Sequence, residues 1–532
     1  MSSSTPLTVG LASLVVTLFI WFRKHKASTA SFPPGPKPLP LLGNVQDLTT
    51  KELWLPAAKW AKQYGDIVYL HVLGQGLVFL NSPEAAFELL DKRGSIYSDK
   101  PYLVMTGDLW MRLQEYGTIV VFNSVIGFNL GLLQVAFTGY SDQSKRQRRL
   151  MHKAFGLPVI PSYYPLLQSE THGFLRRIVA SPLNYVAHTR RYAGALTLKV
   201  VYGYEPLDHD DKFLSMAEEC VDLLSNEIAS GGGIWPVDIF PALQHLPTWA
   251  PGAGFKIKAA KWKAKMEECV DQPFEFVKDS IKSDSFKPSF CSTLLENDKP
   301  TKEFEFDLKW TANSMYAASM DTTMTTVSHF LLAMMAHPEA LATAQKEIDL
   351  VVGSERLPNF SDRPNLPYIE ALMSETWRWG APVPLNLPHR LMEDDIYNGM
   401  FIPKGSLIFG NIWAITRDER IYANPSAFIP ERFLEKVDPA TERRRDPRSY
   451  VFGFGRRQCP GQNLVESSIW LLIASMVATL DIAKAVDASG NPVEPRVHFN
   501  NPIFRIPDPF ECALRPRSEQ ALKLIQQSEI TL

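Results

Sequence analysis

The stretch FGFGRRQCPG, Phe452 to Gly461, constrains this chain more than any other. Gly453, Gly455 and Gly461 free the backbone to approach something flat and close. Arg456 and Arg457 precede Cys459, Pro460 follows it, and NLVESSIWLLIASMVATL then starts a long apolar helix. Cys459 therefore sits just before a helix N-terminus, where the partial positive charge, together with Arg456 and Arg457, favours thiolate over thiol. A structural buried cysteine needs none of this; a cysteine held as a metal ligand does.

Three other places spend unusual residues. The helical stretch Trp310 to His337 is apolar enough in its C-terminal half to be buried, yet carries Asp321, Thr322 and Thr323 at its middle. Unpaired polar groups inside a buried helix are costly; either this is a polar stripe facing water or it is a polar notch in an apolar pocket, suited to passing protons. SETWRWG places Glu375 and Arg378 three apart on one helical face, where they can pair. Most such pairs are solvated and worth little, but Trp377, Trp379 and the run APVPLNLP favour burial and a structural brace. PSAFIPERF then offers Pro430, Glu431, Arg432 and Phe433 as a proline-braced turn, taken singly just a loop.

In this order, the acid-Thr-Thr helix, Glu-x-x-Arg, Pro-Glu-Arg-Phe and Phe-x-x-Gly-x-Arg-x-Cys-x-Gly, the pieces resemble the cytochrome P-450 haem-thiolate monooxygenases, of microsomal fungal type. The last motif matches at Phe452, Gly455, Arg457, Cys459 and Gly461. The resemblance implies haem b, iron protoporphyrin IX, with Cys459 as axial thiolate on the iron, the ligand that favours O–O cleavage. It implies that amides of the following turn hydrogen-bond the sulfur, that Arg457, Arg390 and Arg148 meet haem propionates, that Asp321 and Thr322 relay protons, and that Glu375, Arg378 and Arg432 brace the proximal side. Pocket walls are expected from Ala317 and Met320, from Val383 and Leu385, and from Phe504 within NPIFRI. These are apolar, so a greasy, polycyclic or aromatic substrate is expected.

The match departs in places. Ser144 stands where the family's helix near the haem edge has Trp, four residues before Arg148, and Ser319 stands where a glycine is usual in the acid-Thr helix. LWMRLQEYGTIVVFNSV, Leu109 to Val125, reads as extra sequence, either a natural insertion or translated intron.

Bulk properties set the frame. The chain has 532 residues, 45% of them hydrophobic, and after residue 45 no Gly/Ser-rich linker divides it. One large unit, residues 46–532, is expected, mainly α with small β-sheets (α+β) in the cytochrome P-450 fold. Strands are expected in DIVYLHVLG and GLVFLNS around a Gly74–Gly76 turn, in SLIFGNIWAI and around NPIFRIPDPF, and SPEAAFELLDKRG is expected to be a helix capped by Ser82 with Pro83 first. With 55 Lys+Arg against 57 Asp+Glu and no long cationic tract, nucleic acid is excluded as a partner. The cysteines at 220, 269, 291, 459 and 512 are odd in number and lack CxxC spacing, which argues against disulfides and zinc and fits a reducing compartment.

Residues 1–26 read as a membrane anchor: Pro6 to Phe22 carries no charge, and Arg23, Lys24 and Lys26 follow it. Charge after the run rather than before it speaks against a cleaved signal peptide and keeps the catalytic unit on the cytoplasmic side, by resemblance at the endoplasmic reticulum membrane. Residues 27–45 are a proline-rich hinge. The expected function is a membrane-bound monooxygenase fed with electrons by an NADPH-dependent flavoprotein reductase, hydroxylating an apolar small molecule with O2, in secondary metabolism or xenobiotic oxidation. Lys145, Arg146, Arg148, Arg149, Arg443 to Arg445 and Arg456 are either its docking face or a scattered solvated surface. The competing expectations are a reductase-independent haem-thiolate isomerase or dehydratase, and an inactive haem-binding relative.

Overall fold

In the computed structural model the described residues are 30–49, 51–101, 135–223, 235–239, 241–297, 300–499, 501 and 503–527. The membrane-anchor reading of residues 1–26 and the extra stretch Leu109 to Val125 lie outside them. Among the described residues, no helix is long and apolar enough to cross a membrane.

The chain opens with α1 (Trp54–Tyr64), β1 (Ile67–Val72) and β2 (Gln75–Leu80). The hairpin turn is Leu73-Gly74, both at positive φ, the two-residue geometry whose twist suits paired strands. Gly76 therefore lies within β2, opposite His71, rather than in the turn. Ser82 accepts a hydrogen bond from the Ala85 amide and starts a short helix with Pro83 in its first turn.

Helices follow: α2 (Asp142–Phe155), α3 (Tyr164–Ala180), α4 (Tyr185–Tyr202), α5 (Lys212–Asp222), α6 (Gly254–Lys282), α7 (Lys302–Ala336), α8 (Pro338–Val351) and α9 (Pro367–Gly380). Strands β3 (His389–Arg390), β4 (Asp395–Tyr397), β5 (Met400–Ile402) and β6 (Leu407–Gly410) precede α10 (Gln462–Thr479), β7 (Leu480–Lys484) and β8 (Cys512–Pro516). The main sheet has the order β1-β2-β6-β3, with β2 and β6 parallel.

The 35-residue α7 runs through the centre. Thr301 caps it by accepting from the Phe304 amide at 3.1 Å, Glu303 and Glu305 sit in its first turn, and Pro338 follows its end. It packs most extensively on α4 and also meets α2, α5, α6 and α9. Burial on every side explains why it shows no apolar stripe.

Two expectations are corrected. SLIFGNIWAI is a strand only to Gly410; Asn411 accepts from the Ala414 amide and turns Ile412–Ile415 into helix. Of the described residues of NPIFRIPDPF, Pro507 alone pairs, in an isolated bridge with the preceding Phe499, and the strand comes just after the stretch as β8, antiparallel to β7. A third correction concerns thiols: Cys220 on α5 and Cys269 on α6 form a disulfide, 49 residues apart, against the expectation drawn from cysteine spacing.

Hydrophobic burial divides into a large helical cluster around α3, α4, α7 and α10, a sheet-side cluster containing Val78, Ile408, Tyr450 and Phe454, and a smaller one on the other face of the sheet containing Val68 and Phe79. At about 1.5–3 kcal/mol per large apolar side chain removed from water, these bodies of side chains outweigh any single polar contact described below. The loop that carries Cys459 spans the seam between the first two.

Candidate active site

Alternate aromatic residues fasten the cysteine loop to both clusters. Phe452 packs against the helical cluster and meets Trp377 of α9 edge-on, ring centres 5.3 Å apart. Phe454, 1% exposed, belongs to the sheet cluster. Between them Gly453 takes φ +76°, and Gly455 takes φ +49°. A Cβ on Gly455 would stand 2.5 Å from the Leu90 carbonyl oxygen, so the loop passes too close to its neighbour for any side chain there. The Cys459 amide donates to the Phe452 carbonyl at 2.7 Å and closes the loop.

Cys459 precedes α10 by three residues, and the Gly461 and Gln462 amides point at its sulfur. Burial nevertheless dominates and pushes the thiol up, while those amides and the Arg148 charge pull it down. The helix end alone therefore does not make the thiolate, and the nearby cation is Arg148 rather than Arg456 or Arg457. The sulfur is deep in the fold yet reachable by solvent, so it lines a recess. Arg456 turns away to the Tyr140 hydroxyl.

Behind this loop, Glu375 and Arg378 are both fully buried at 0% exposure. Arg378 donates through Nε at 2.6 Å and Nη2 at 2.8 Å to the two carboxylate oxygens of Glu375. Its remaining donors reach the carbonyls of Thr416, Pro425 and Ala427 at 2.8–2.9 Å. Glu375 also accepts from the Ile429 amide at 2.7 Å and faces Arg432 at 3.3 Å. The Glu375 carboxylate and the Arg378 guanidinium are thus matched, the condition under which buried charge is tolerable, while Arg432 Nε faces Glu375 as an ion pair without a hydrogen bond.

Across the recess the helix α7 is buried from Trp310 to Met335 except at Ala317, Ala318, Ser319 and Thr322. Ala318 and Thr322, one turn apart, define the open face, with the Thr322 hydroxyl donating to the Ala318 carbonyl at 2.9 Å. Asp321 points elsewhere, toward Arg190 of α4 at 3.8 Å. The Ser319 hydroxyl is tied to the Tyr316 carbonyl at 2.9 Å. Met320 is not on the open face: it is buried against Gly194 of α4, where an added Cβ would lie 3.3 Å from its sulfur. Ala318, not singled out in the sequence, takes that place.

Of the other wall residues, Val383 and Phe504 are half-buried, whereas Leu385 packs onto the β1–β2 side cluster with Val68 and Phe79. The Asn386 amide donates to the Val383 carbonyl, and this turn breaks the alternation that would have put Val383 and Leu385 on one face.

A cationic group borders the cysteine loop. Arg457 donates to the carbonyls of Ser98 at 2.7 Å, Val135 at 3.3 Å and Thr138 at 2.7 Å. Arg148 donates to the Gln458 carbonyl at 2.5 Å, and Arg390 lies 3.8 Å from Asp99. Lys100 was missed in the sequence: it is 5% exposed, with Nζ on the carbonyls of Leu387 and Pro388 at 3.1 Å. Burial, then the Arg457 and Arg148 charges, holds the Lys100 ammonium well below its usual range, and burial lowers Arg457 to about 10. Among the described residues these cations share a single carboxylate, Asp99, and there the group carries a positive surplus that suits an acidic ligand. Ser144 is buried and forms a reciprocal cap with Ser141 at the start of α2, which gives its hydroxyl a structural place.

Most of the basic residues considered as a docking face are already paired. Arg146 meets Glu303 at 2.8 Å and Asp307 at 2.5 Å, Arg443 meets Asp91 at 2.6 Å, and Arg445 meets Glu435 at 2.9 Å. Two surface clefts, one near Pro34 and Tyr64 and one near Glu88 and Arg443, contain none of the site residues.

A solvent-reached thiol with amides on its sulfur, glycine backbone beside it and a surplus of cations fits a flat, acidic, iron-bearing cofactor. Comparison with known proteins points the same way. The sequence model of the cytochrome P450 family matches residues 33–502. The chain is 39% identical over 524 residues to cytochrome P450 monooxygenase claT of Ampulloclitocybe clavipes, covering 98% of each. It is 36% identical over 529 residues to cytochrome P450 monooxygenase 176 of Postia placenta, again covering 98% of each.

Proposed function

Since the chain belongs to the cytochrome P450 family, we propose that it is a haem-thiolate monooxygenase that hydroxylates an apolar organic molecule with electrons from an NADPH-dependent reductase. The observation that carries this reading is Cys459, deep yet open to a recess, with the Gly461 and Gln462 amides directed at its sulfur. Haem, when bound, supplies the redox chemistry that activates O2 and inserts one oxygen atom into a C–H bond.

The chain's own residues do the rest. Cys459 holds the iron, whose charge offsets the burial that otherwise favours the thiol. Arg148, Arg390, Arg457 and Lys100 take the cofactor's carboxylates. The Glu375–Arg378–Arg432 cluster keeps α9 and the Pro430–Phe433 turn fixed behind the cysteine loop. Thr322 presents a hydroxyl on the open face of α7, and Asp321, held near Arg190, supplies a carboxylate one residue away for proton delivery. Ala318 and Val383 leave an apolar surface for substrate. The apolar run Pro6 to Phe22 with its basic flank supports attachment to a membrane.

The test is the difference spectrum of the reduced protein with and without carbon monoxide, on wild type and on Cys459→Ser. A thiolate-type Soret band that disappears in the variant is expected. A folded, haem-loaded wild type without that band would sink the reading. An isomerase or dehydratase is disfavoured by the retained Asp321–Thr322 pair, and NADPH consumption in the presence of reductase separates the readings.

A further inference from the structure

Gln458, one residue before Cys459, and Gln462, three residues after it, are tied to each other by their side chains. Gln458 Nε2 donates to Gln462 Oε1 at 2.8 Å, and Gln462 Nε2 donates to Glu466 Oε1 at 2.6 Å. Residues 458, 462 and 466 are four apart, so successive side chains meet along one side of the start of α10. A carboxylate only accepts, so Gln462 turns its amino group to Glu466 and its oxygen to Gln458. Glu466 therefore fixes the direction of the whole relay.

Glu466 itself is drawn inward. Its side chain is 19% exposed and stands 3.9 Å from Arg448, but Arg448 is engaged by both oxygens of Asp446 at 2.9 Å and by Glu370 at 2.7 Å. Burial pushes the Glu466 carboxyl up, and the Gln462 bond, then Arg448 and Arg363, pull it back. The closest polar contact Glu466 makes is thus with Gln462 rather than with a cation. Helix α10 does not need that contact to stay folded: from Leu464 on it is held by buried side chains, and Asn463 Nδ2 donates to the Phe155 carbonyl at 2.9 Å. What the contact does hold is the turn around the sulfur. The Gln462 main-chain amide is one of the two directed at Cys459, and the Gln458 carbonyl is held from the other side by Arg148 at 2.5 Å.

We propose that Glu466 is a positioning residue for the iron ligand: through the Gln462 side chain it keeps that residue's main-chain amide on the Cys459 sulfur, and so sets how much electron density the thiolate gives to the iron. Hydrogen bonds to a ligating sulfur draw density from it, and the partners that orient them tune a metal site as the ligands do. Without Glu466 the Gln462 side chain rotates freely, the relay to Gln458 opens, and the amide is no longer held on the sulfur. The thiolate then gives more to the iron, and the reduction potential falls. This rests on the haem-thiolate reading, since the sulfur must be an iron ligand for the tuning to act on anything.

The experiment uses the full chain loaded with haem, and begins by recording the carbon monoxide band of wild type. Absence of that band undoes the haem-thiolate reading itself, before any variant is compared. With the band present, reduction potentials and melting temperatures are measured for Glu466→Gln, which loses the charge but keeps an oxygen for Gln462, and for Glu466→Leu, which loses both. At equal charge, the two differ in the relay. Glu466→Leu is expected at the lower potential, by about threefold or more in the reduction equilibrium, the share of one hydrogen bond. Their melting temperatures are expected to agree within about 3 °C. Gln462→Leu keeps the main-chain amide and lacks the relay; in that background Glu466→Gln and Glu466→Leu are expected to coincide in potential. Three results would overturn the proposal: Glu466→Leu at a potential equal to or above that of Glu466→Gln, whatever happens to stability; the same difference between them persisting in the Gln462→Leu background; or Gln462→Leu alone at the wild-type potential.

Discussion

The side of the site behind Cys459 and the side across from it treat buried polarity in opposite ways. Behind, Glu375 and Arg378 are closed to solvent and matched donor for acceptor, with the half-buried Arg432 adding its charge 3.3 Å from Glu375. Across, α7 between Trp310 and Met335 opens only at Ala317 to Ser319 and Thr322, the hydroxyls of Ser319 and Thr322 fold back on helix carbonyls, and Asp321 stands 3.8 Å from Arg190. One side is a fixed frame in which any lost partner leaves a buried charge; the other holds polar groups loosely enough to exchange protons. The contrast teaches where stability and chemistry separate in this molecule: changes behind the cysteine should act on folding, changes across from it on turnover.

The largest expected effect comes from breaking the frame. Glu375→Gln removes the charge that balances Arg378 and Arg432 while preserving shape, and a buried pair broken on one side loses about 3–5 kcal/mol. Urea unfolding should show a midpoint lowered by that amount, and haem retention should fall with it. Arg378→Lys should fare no better, since one ammonium cannot serve Glu375 and the carbonyls of Thr416, Pro425 and Ala427 together. A Glu375→Gln protein as stable as wild type would remove the contrast altogether.

Next is Gly455→Ala. The position combines φ +49° with a would-be Cβ 2.5 Å from the Leu90 carbonyl oxygen, so the loop must move, at about 2 kcal/mol or more. Because Phe452 and Phe454 anchor the loop in separate clusters, the displacement should show first as a weakened thiolate-type carbon monoxide band, ahead of global unfolding. Thr322→Ala belongs to the other side. Its hydroxyl bonds only its own helix, so stability should stay within about 0.5 kcal/mol, while product formed per NADPH consumed drops about tenfold. A stability loss like that of Glu375→Gln, or unchanged coupling, would erase the distinction between the two sides.

These outcomes also bear on what was legible in the sequence. The cysteine loop, the Glu-x-x-Arg pair and the Ser82 cap could be read because their information is local: glycine at strained backbone, three-residue helical spacing, a hydroxyl before Pro83. Family membership and the mainly helical fold followed from the same motifs. Which way α7 turns could not be read. A helix buried all round has no amphipathic stripe, so Met320 and Ala318 were indistinguishable until α4 was seen to occupy one face. Lys100 gave no signal beyond a lysine before Pro101, since its role depends on Arg148 and Arg457 arriving from distant segments. The β7–β8 pair and the Cys220–Cys269 link failed for the same reason: each joins segments that spacing along the chain does not relate.

The smallest effect sharpens the comparison by pH. His329, on α7 beside Arg505, and His389, beside Lys100, are both fully buried and held well below the usual histidine range, by burial first and by neighbouring cations second. A histidine whose folded pKa is depressed stays neutral in the native protein while the unfolded chain takes up a proton once pH falls below about 6.5. Acidification therefore favours the unfolded state: stability from this source is complete above about pH 6.5 and is lost by about 1.4 kcal/mol per pH unit per histidine below it. Other groups add slopes of their own, so the informative quantity is a difference. Urea unfolding of wild type and His329→Gln at pH 7.5, 6.5 and 5.5 should give curves that converge toward acid, because the variant loses the Arg505 contact at every pH but is relieved of the histidine's share of acid destabilisation. Parallel curves would mean that His329 protonates in the native state, in which case the Arg505 bond to its ring does not hold the neutral form, unlike the matched pair behind Cys459.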